Sequence, residues 1–348
     1  MDSPSSLPPL RFGVVGIDHR HVYDQVRGLL DTGAECAGYW TEPGAVTEPG
    51  FRERFPTVLK MADRRELLED ASIGLIICAA IPRDRAGHAV EAMQHGKDFM
   101  ADKPGVTTLA QLDQVRATQS ETGCIFSVNF TERFEVRAVT KATELVRSGA
   151  IGRVLQTVGL GPHRLNRHLR PSWFFDPVAY GGILTDLASH QIDQFLHFTG
   201  SDDAEILLSR YGNLGNPQDP GLQDFGEIVL SHGGVSGYIR VDWFTPDGLP
   251  TWGDGRLTIL GTDGYIELRK YVDIAGRPAT DHLFLVNHEG TRYVDCSQEP
   301  LPYYSSLRRD IAARTETAMS QAHCFKVCEL ALRAQAIGQR IENNNSHP

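Results

Sequence analysis

LRFGVVGIDHRHVYDQVRGLLDTGAECAGYW, residues 10–40, decides the fold. Leu10 to Val15 is a short apolar strand. Gly16, Ile17, Asp18, His19, Arg20 and His21 make a tight turn, Val22, Val26, Leu29 and Leu30 fall on one side of a helix, and Glu35 to Trp40 reads as a second strand. That order and size are those of a βαβ unit, which buries its strands only as part of a parallel sheet.

The turn of such a unit is where a dinucleotide fingerprint, GxGxxG, would lie. Gly16 holds its first position, but Asp18 stands at the second and His21 at the third. A carboxylate at Asp18 opposes a pyrophosphate unless it turns away, for example to cap the helix that follows. After the second strand come Thr41 and Glu42, where a nicotinamide enzyme holds the adenine ribose. A threonine tolerates a 2′-phosphate and a glutamate favours the diol, so NAD and NADP both stay open.

Further along, Ile73 to Ala80 is a near-continuous apolar run of the kind buried on both faces, and Ala80 sits at its carboxyl edge, where ligands bind in such sheets. A helix from Asp84 to His95, a strand from Asp98 to Ala101, a helix from Leu109 to Thr122 and a strand from Cys124 to Asn129 continue the alternation. The result is a doubly wound parallel sheet. Lys103 falls just past a strand end.

A helix over Glu132 to Ser148 follows, and then the period changes. Ile239, Val241 and Trp243 alternate with Arg240 and Asp242, and Leu257 to Leu268 reads as a hairpin turning at Thr262, Asp263 and Gly264. The second half is therefore expected to be a largely antiparallel open sheet with helices on one face. We place the domain border at 130, with residues 1–130 and 131–348 as the two domains. Helices near Ser305 to Ala318 and Gln321 to Ile341 finish the chain, between a short flexible lead (Met1 to Pro9) and a frayed tail (Asn343 to Pro348).

Within the second half, Gly181 to Asp193 is the stretch where chemistry concentrates. In a helix from Thr185, Asp186, His190, Asp193 and His197 form a titratable stripe, while Leu184, Leu187, Ala188 and Phe195 line another face. Gly200 is the expected stop. A nearby basic loop, Pro162 to Pro171, contains His163, Arg164, Arg167, His168 and Arg170, suited to substrate hydroxyls or an acidic group, and Trp173 is suited to stacking on an apolar sugar face. His19 and His21 resemble a metal pair only superficially, and no metal is expected.

Composition narrows the partners. With 348 residues, 41% hydrophobic and 22% charged, the chain can bury two ordinary cores. A net charge of −10 with no basic run excludes nucleic acid as the expected partner. The sequence has no apolar stretch long enough for a membrane span and no signal peptide, so a cytoplasmic protein is expected. Cys36, Cys78, Cys124, Cys296, Cys324 and Cys328 show no redox or zinc spacing and fit a reducing compartment.

As a set, four stretches resemble the Gfo/Idh/MocA family of nicotinamide-dependent oxidoreductases, which act mostly on sugars, inositols and related polyols. His88 to Pro104 is similar to the stretch ending in Glu-Lys-Pro, with Asp102 in place of glutamate. Asn129 to Gly152, including Arg133, resembles the entry to the second domain. Trp173 to Gly200 resembles the catalytic helix region, and Gly261, Thr262, Gly264 and Glu267 its sheet hairpin. The first glycine turn departs from the pattern.

The resemblance implies a Rossmann-type first domain binding NAD or NADP through Gly16, Asp18, His21, Thr41, Glu42, Ala80, His88 and Lys103, with His88 near the nicotinamide. It implies hydride transfer with Lys103 and His190 flanking a substrate carbinol and Asp186 nearby, and Arg133, His163, Trp173 and Asp186 as substrate contacts. His190 is expected to be the acid/base and Lys103 to hold the oxygen, because an imidazole has a near-neutral pKa without perturbation. Two other readings compete: an NAD-using glycoside hydrolase or lyase with no net redox, and a non-catalytic nucleotide- or sugar-binding protein on the same scaffold. An open sheet face makes a homodimer or homotetramer the expected assembly.

Overall fold

The structure is a computed structural model that describes residues 8–342. Most of the lead and all of the tail named above lie outside the described residues.

The chain begins with β1 (Arg11–Val15), α1 (Val22–Asp31), β2 (Glu35–Trp40), α2 (Glu48–Arg54), α3 (Arg65–Leu68), β3 (Leu75–Cys78), α4 (Pro82–Gln94), β4 (Asp98–Asp102), α5 (Leu109–Thr122) and β5 (Phe126–Asn129). It continues with α6 (Thr131–Phe134), α7 (Arg137–Arg147), β6 (Val154–Pro162), α8 (Pro177–Tyr180), α9 (Ile183–Asp186) and α10 (Ala188–Thr199). Strands β7 (Glu205–Gly212), β8 (Phe225–His232), β9 (Val235–Asp242), β10 (Arg256–Gly261), β11 (Gly264–Arg269), β12 (His282–Asn287) and β13 (Gly290–Asp295) follow. Last come α11 (Tyr303–Ala313), α12 (Gln321–Ile337) and β14 (Gln339–Ile341).

Two compact units result. One holds the chain up to residue 129 together with 178–181 and 302–325; the other holds 130–177, 182–301 and the chain from 326 on. Where the sequence reading drew two consecutive segments, packing returns residues 302–325 to the first unit.

The first unit is built on a five-stranded parallel sheet in the order β2-β1-β3-β4-β5. Every residue of β3, β4 and the edge strand β5 is buried, as expected of a sheet with helices on both faces. Order reverses between β1 and β3, which opens a crevice beyond their carboxyl ends. The returning segment completes the unit. Phe126 stacks between Phe99 and Phe325, with ring centroids 6.2 and 5.8 Å away. Tyr303 Oη lies 2.7 Å from Ser127 Oγ, Asn129 Nδ2 donates to Tyr304 Oη at 2.9 Å, and the Phe126 N–H donates to Gln321 Oε1 at 2.9 Å. Gly28 on α1 admits the Tyr304 ring, since a Cβ there would stand 2.2 Å from it.

The second unit carries a nine-stranded sheet, β13-β12-β11-β10-β6-β9-β8-β7-β14, antiparallel except at β6·β9 and β14·β7. Ala138, Val139 and Ala142 of α7 and Phe198 of α10 pack on Leu257, Ile259, Ile266, Leu268, Leu283 and Leu285. Glycines let α10 lie close to the strands: a Cβ at Gly237 would reach 2.6 Å from the Phe195 ring, and one at Gly159 2.8 Å from Gln191.

Three expectations change. The helix drawn over Glu132 to Ser148 is two, because Val136 is extended between α6 and α7. The helix from Thr185 is interrupted at Leu187, between α9 and α10, and ends as expected with Gly200 left-handed at φ 68°. The last helix stops at Ile337, and Gln339 to Ile341 pair parallel with β7, which supplies the strand hydrogen bonds a helix would have made internally. All six cysteines are free thiols. Among the described residues no helix is long and apolar enough to cross a membrane.

Phe126→Ala removes the middle ring of the stack and should cost about 3–5 kcal/mol of unfolding free energy. Tyr304→Phe removes only a hydroxyl and should cost about 1 kcal/mol. Urea unfolding of both variants checks the ranking; equal losses would show that the hydroxyl, not the ring packing, holds the segment.

Candidate functional site

The crevice of the first unit is a cleft of about 620 Å³, lined by Gly16, Asp18, Trp40, Glu42, Ala80 and His88 among others. Gly16 lies at φ +79°, and a Cβ there would stand 2.4 Å from Ala80 Cβ, so the turn after β1 closes on the end of β3 only as glycine. Arg64 also lines the cleft, with its guanidinium 5.5 Å from the Trp40 ring and bonded to Glu91 at 2.8 Å. Thr41 is buried beside these residues, and its hydroxyl has no hydrogen-bond partner among the described residues. A glycine-floored cleft, a carboxylate lining it and a flat aromatic–guanidinium wall fit the adenosine half of a dinucleotide.

Glu42 lines the cleft and Thr41 does not. His88 lines it too, with its ring 6.2 Å from that of Trp40. Burial first, then Arg64, lowers the His88 pKa, so it is a neutral donor or acceptor.

The residues that replace the fingerprint glycines are held from below. Asp18 does not cap α1, which begins after His21 with no side-chain cap; burial raises its pKa against the pull of Arg85. His19 Nδ1 lies 2.8 Å from Asp102 Oδ2 and His21 Nδ1 2.8 Å from Oδ1. Arg85, 1% exposed, donates to Oδ2 at 3.1 Å, to the carbonyls of Ala80 at 2.7 Å and Asp102 at 2.8 Å, and to that of Lys103. Burial opposes ionisation of Asp102, but His21, Arg85 and His19 outweigh it and hold the carboxyl well below the usual carboxylate range. Burial also drives His19 down to about 3, so His19 is neutral.

His19, His21 and Asp102 are a donor set a transition metal ion can take. Arg85 shares the same buried carboxylate, however, and a divalent ion would have to displace both imidazole contacts beside that guanidinium. The arrangement is therefore a hydrogen-bonded knot that fixes the turn after β1 to the ends of β3 and β4. Sequence reading singled out His19, His21 and Asp102 separately; it missed Arg85, whose place in a helix gives no sign of burial.

In the second unit, Asp186 and His190 are both buried, 7% and 2% exposed, around the junction of α9 and α10. Gly182 opens this segment at φ +86° against the Gln335 side chain. The rest of the expected titratable stripe is committed elsewhere. Asp193 takes Arg133 in a two-point pair at 2.7 and 2.8 Å, and His197 Nε2 lies 2.8 Å from Thr143 Oγ1. Arg133, expected as a substrate contact, also lies 4.2 Å over the Phe134 ring, so its guanidinium serves the packing of α6 on α10.

The basic loop is likewise tied into the fold. Arg164 donates to the Pro246 and Leu249 carbonyls, Arg167 pairs with Asp219 at 2.6 Å, and Arg170 lies 4.4 Å over Phe174. His163 stays beside rings, 4.6 Å from Trp252 and 5.3 Å from Trp243, with Nδ1 3.0 Å from the Gly161 carbonyl. Trp173 is half-buried, 5.8 Å from Phe174. Sequence reading missed a buried ion pair, Lys270 Nζ to Glu132 Oε2 at 2.5 Å; its members lie at the end of a strand and in a broken helix, 138 positions apart.

Comparison with known proteins agrees with this geometry. Residues 10–130 match the oxidoreductase family model with an NAD-binding Rossmann fold, and residues 139–267 match the GFO/IDH/MocA C-terminal domain. The scyllo-inositol 2-dehydrogenase (NAD(+)) of Bacillus subtilis (strain 168) is 22% identical over 275 residues, 77% of this chain and 70% of that protein. Levoglucosan dehydrogenase of Pseudarthrobacter phenanthrenivorans is 27% identical over 192 residues, 54% of this chain and 49% of that one, about half of each. A crystal structure from Erwinia carotovora atroseptica SCRI1043, titled an oxidoreductase, superposes with TM-score 0.93 at 46% identity, covering 96% of this chain and all (100%) of that one. Levoglucosan dehydrogenase with NADH and L-sorbose shares the fold at TM-score 0.77 and 17% identity, covering 94% and 97% of the two chains. The chain belongs to the Gfo/Idh/MocA family of oxidoreductases, with NAD or NADP as its cofactor.

Proposed function

We propose that this protein is an NAD(P)-dependent dehydrogenase or reductase that moves hydride to or from the carbinol carbon of a sugar, inositol or related polyol. The observation that carries the reading is the buried Asp186 and His190 at the α9–α10 junction, in a chain whose other unit is of the NAD-binding type. Two relatives whose names specify an inositol and an anhydrosugar support the substrate class.

Bound nicotinamide supplies the hydride acceptor or donor; the chain supplies the proton chemistry. Alcohol oxidation requires loss of the hydroxyl proton, and His190 is the group assigned to take it. Lys103 holds the substrate oxygen and stabilises negative charge developing there, with its backbone fixed by Arg85. Asp186 orients the imidazole or binds a second hydroxyl. At the adenosine end, Glu42 accepts from the ribose diol and repels a 2′-phosphate, which favours NAD over NADP.

Recording nicotinamide absorbance against inositols, aldoses and uronates tests the activity. His190→Ala and Lys103→Ala should each lower kcat/KM by about 10²–10⁴, with the NAD dissociation constant of His190→Ala within about threefold of the parent. Product formed without any net change in absorbance would instead establish the hydrolase or lyase chemistry. By calorimetry, NAD should bind at least about tenfold more tightly than NADP, and Glu42→Ala should shrink that ratio. Tighter binding of NADP by the parent protein would refute the role given to Glu42.

A further inference from the structure

Glu132 and Lys270 form an ion pair with both side chains out of water, 2% and 0% exposed. Taking two charges out of water costs several kcal/mol per ion, and well-packed apolar residues often replace such pairs at no loss of stability. The pair therefore invites a use other than holding the fold. Its surroundings indicate one. Gln191 donates from Nε2 to the same Glu132 oxygen at 2.9 Å, and Gln191 follows His190 in α10. The Gln191 side chain lies over Gly159 and Gly161, where a Cβ would approach within 2.8 Å, so β6 is shaped to seat that amide. The carboxylate is thereby fixed at two points beside the first turn of α10.

We propose that Glu132 is a positioning residue for His190: its carboxylate, held by Lys270 and Gln191, sets the electrostatic potential at the imidazole and hence the pH at which His190 gains a proton. Electrostatics agree with the geometry. Burial raises the Glu132 pKa, but Lys270, then His190 and His163, bring it down to about 2, so Glu132 is ionised at any working pH and interacts with both histidines. The other charged or titratable groups on elements packed against α10 include Asp186 at the end of α9, Arg133 on α6 paired with Asp193, His163 after β6, Glu227 on β8 paired with Arg210, His232 on β8 beside Asp202, and Asp242 on β9 beside Arg240. None of these changes in the variants below. The catalytic meaning of the proposal rests on the reading of His190 as the proton acceptor; the electrostatic claim does not.

The test is an NMR titration of the histidine rings in the full-length protein, with His190 identified by the signal lost in His190→Gln. A carboxylate favours the imidazolium, so in Glu132→Gln the His190 midpoint should fall by about one pH unit, a tenfold loss of proton affinity. In Lys270→Met the unopposed carboxylate should raise it by a similar amount. Opposite signs distinguish an electrostatic role from loosening of the fold, which would move both variants the same way; shifts of one sign, or none, overturn the proposal. Glu132→Gln/Lys270→Met leaves no unpaired buried charge and serves if a single variant fails to fold. There the midpoint should still fall, because the carboxylate is bonded to the neighbour of His190, and an unchanged midpoint overturns the proposal. In turnover assays the acid limb of the pH–rate profile should follow the NMR midpoint. A limb that stays put while the midpoint moves would refute His190 as the proton acceptor and leave the influence of Glu132 standing.

Discussion

The first unit depends on one buried carboxylate. Asp102 is fully covered, yet it is held ionised by Arg85 and by contacts from His19 and His21. Arg85 in turn satisfies three main-chain carbonyls at the ends of β3 and β4, where sheet hydrogen bonding runs out and backbone acceptors would otherwise be stranded. Losing either partner would leave a charge alone in a medium that solvates it poorly. The knot thus sets where the turn after β1 lies relative to the backbone of Lys103.

It also makes sense of a turn that departs from the usual nucleotide fingerprint. Glycine is required where the backbone must come close, and Gly16 is kept because Ala80 leaves no room for a side chain. Of the two side chains that stand at the later positions, His21 anchors the turn onto Asp102 and Asp18 lines the cleft. In the stretch that resembles the family's Glu-Lys-Pro, Asp102 takes the place of the glutamate. The two departures are one hydrogen-bonded feature, with His21 and Asp102 separated by 81 residues.

What the sequence disclosed follows the reach of local rules. Apolar runs such as Leu75 to Cys78 reveal a sheet covered on both faces, and Gly123 and Gly200 stop helices because a left-handed residue is needed there. Asp186 and His190 were singled out by helical spacing, and the structure buries both, on either side of a break at Leu187. Pairings made across the chain were not: Lys270 looks like a surface lysine closing a hairpin strand, and Glu132 like the solvent face of a helix, until the fold brings them within 2.5 Å. Arg133 and the loop arginines read as ligands for substrate since a sequence shows their charge and not the carboxylates and carbonyls that occupy them. Strand β14 was hidden because its three residues are helix-compatible and gain their extended form from β7.

The return of residues 302–325 to the first unit has a consequence for biosynthesis. The amino-terminal sheet leaves the ribosome early, but the rings of Tyr303, Tyr304 and Phe325 that cover its β5 edge and its first helix are made only after β6 to β13 of the second sheet. Until then Phe126 and Gly28 face solvent, so the nascent unit matures late and through contacts of high sequence separation, the slowest kind to form. A stop codon before residue 302 would therefore damage the nucleotide-binding half, although every strand of its sheet had been translated.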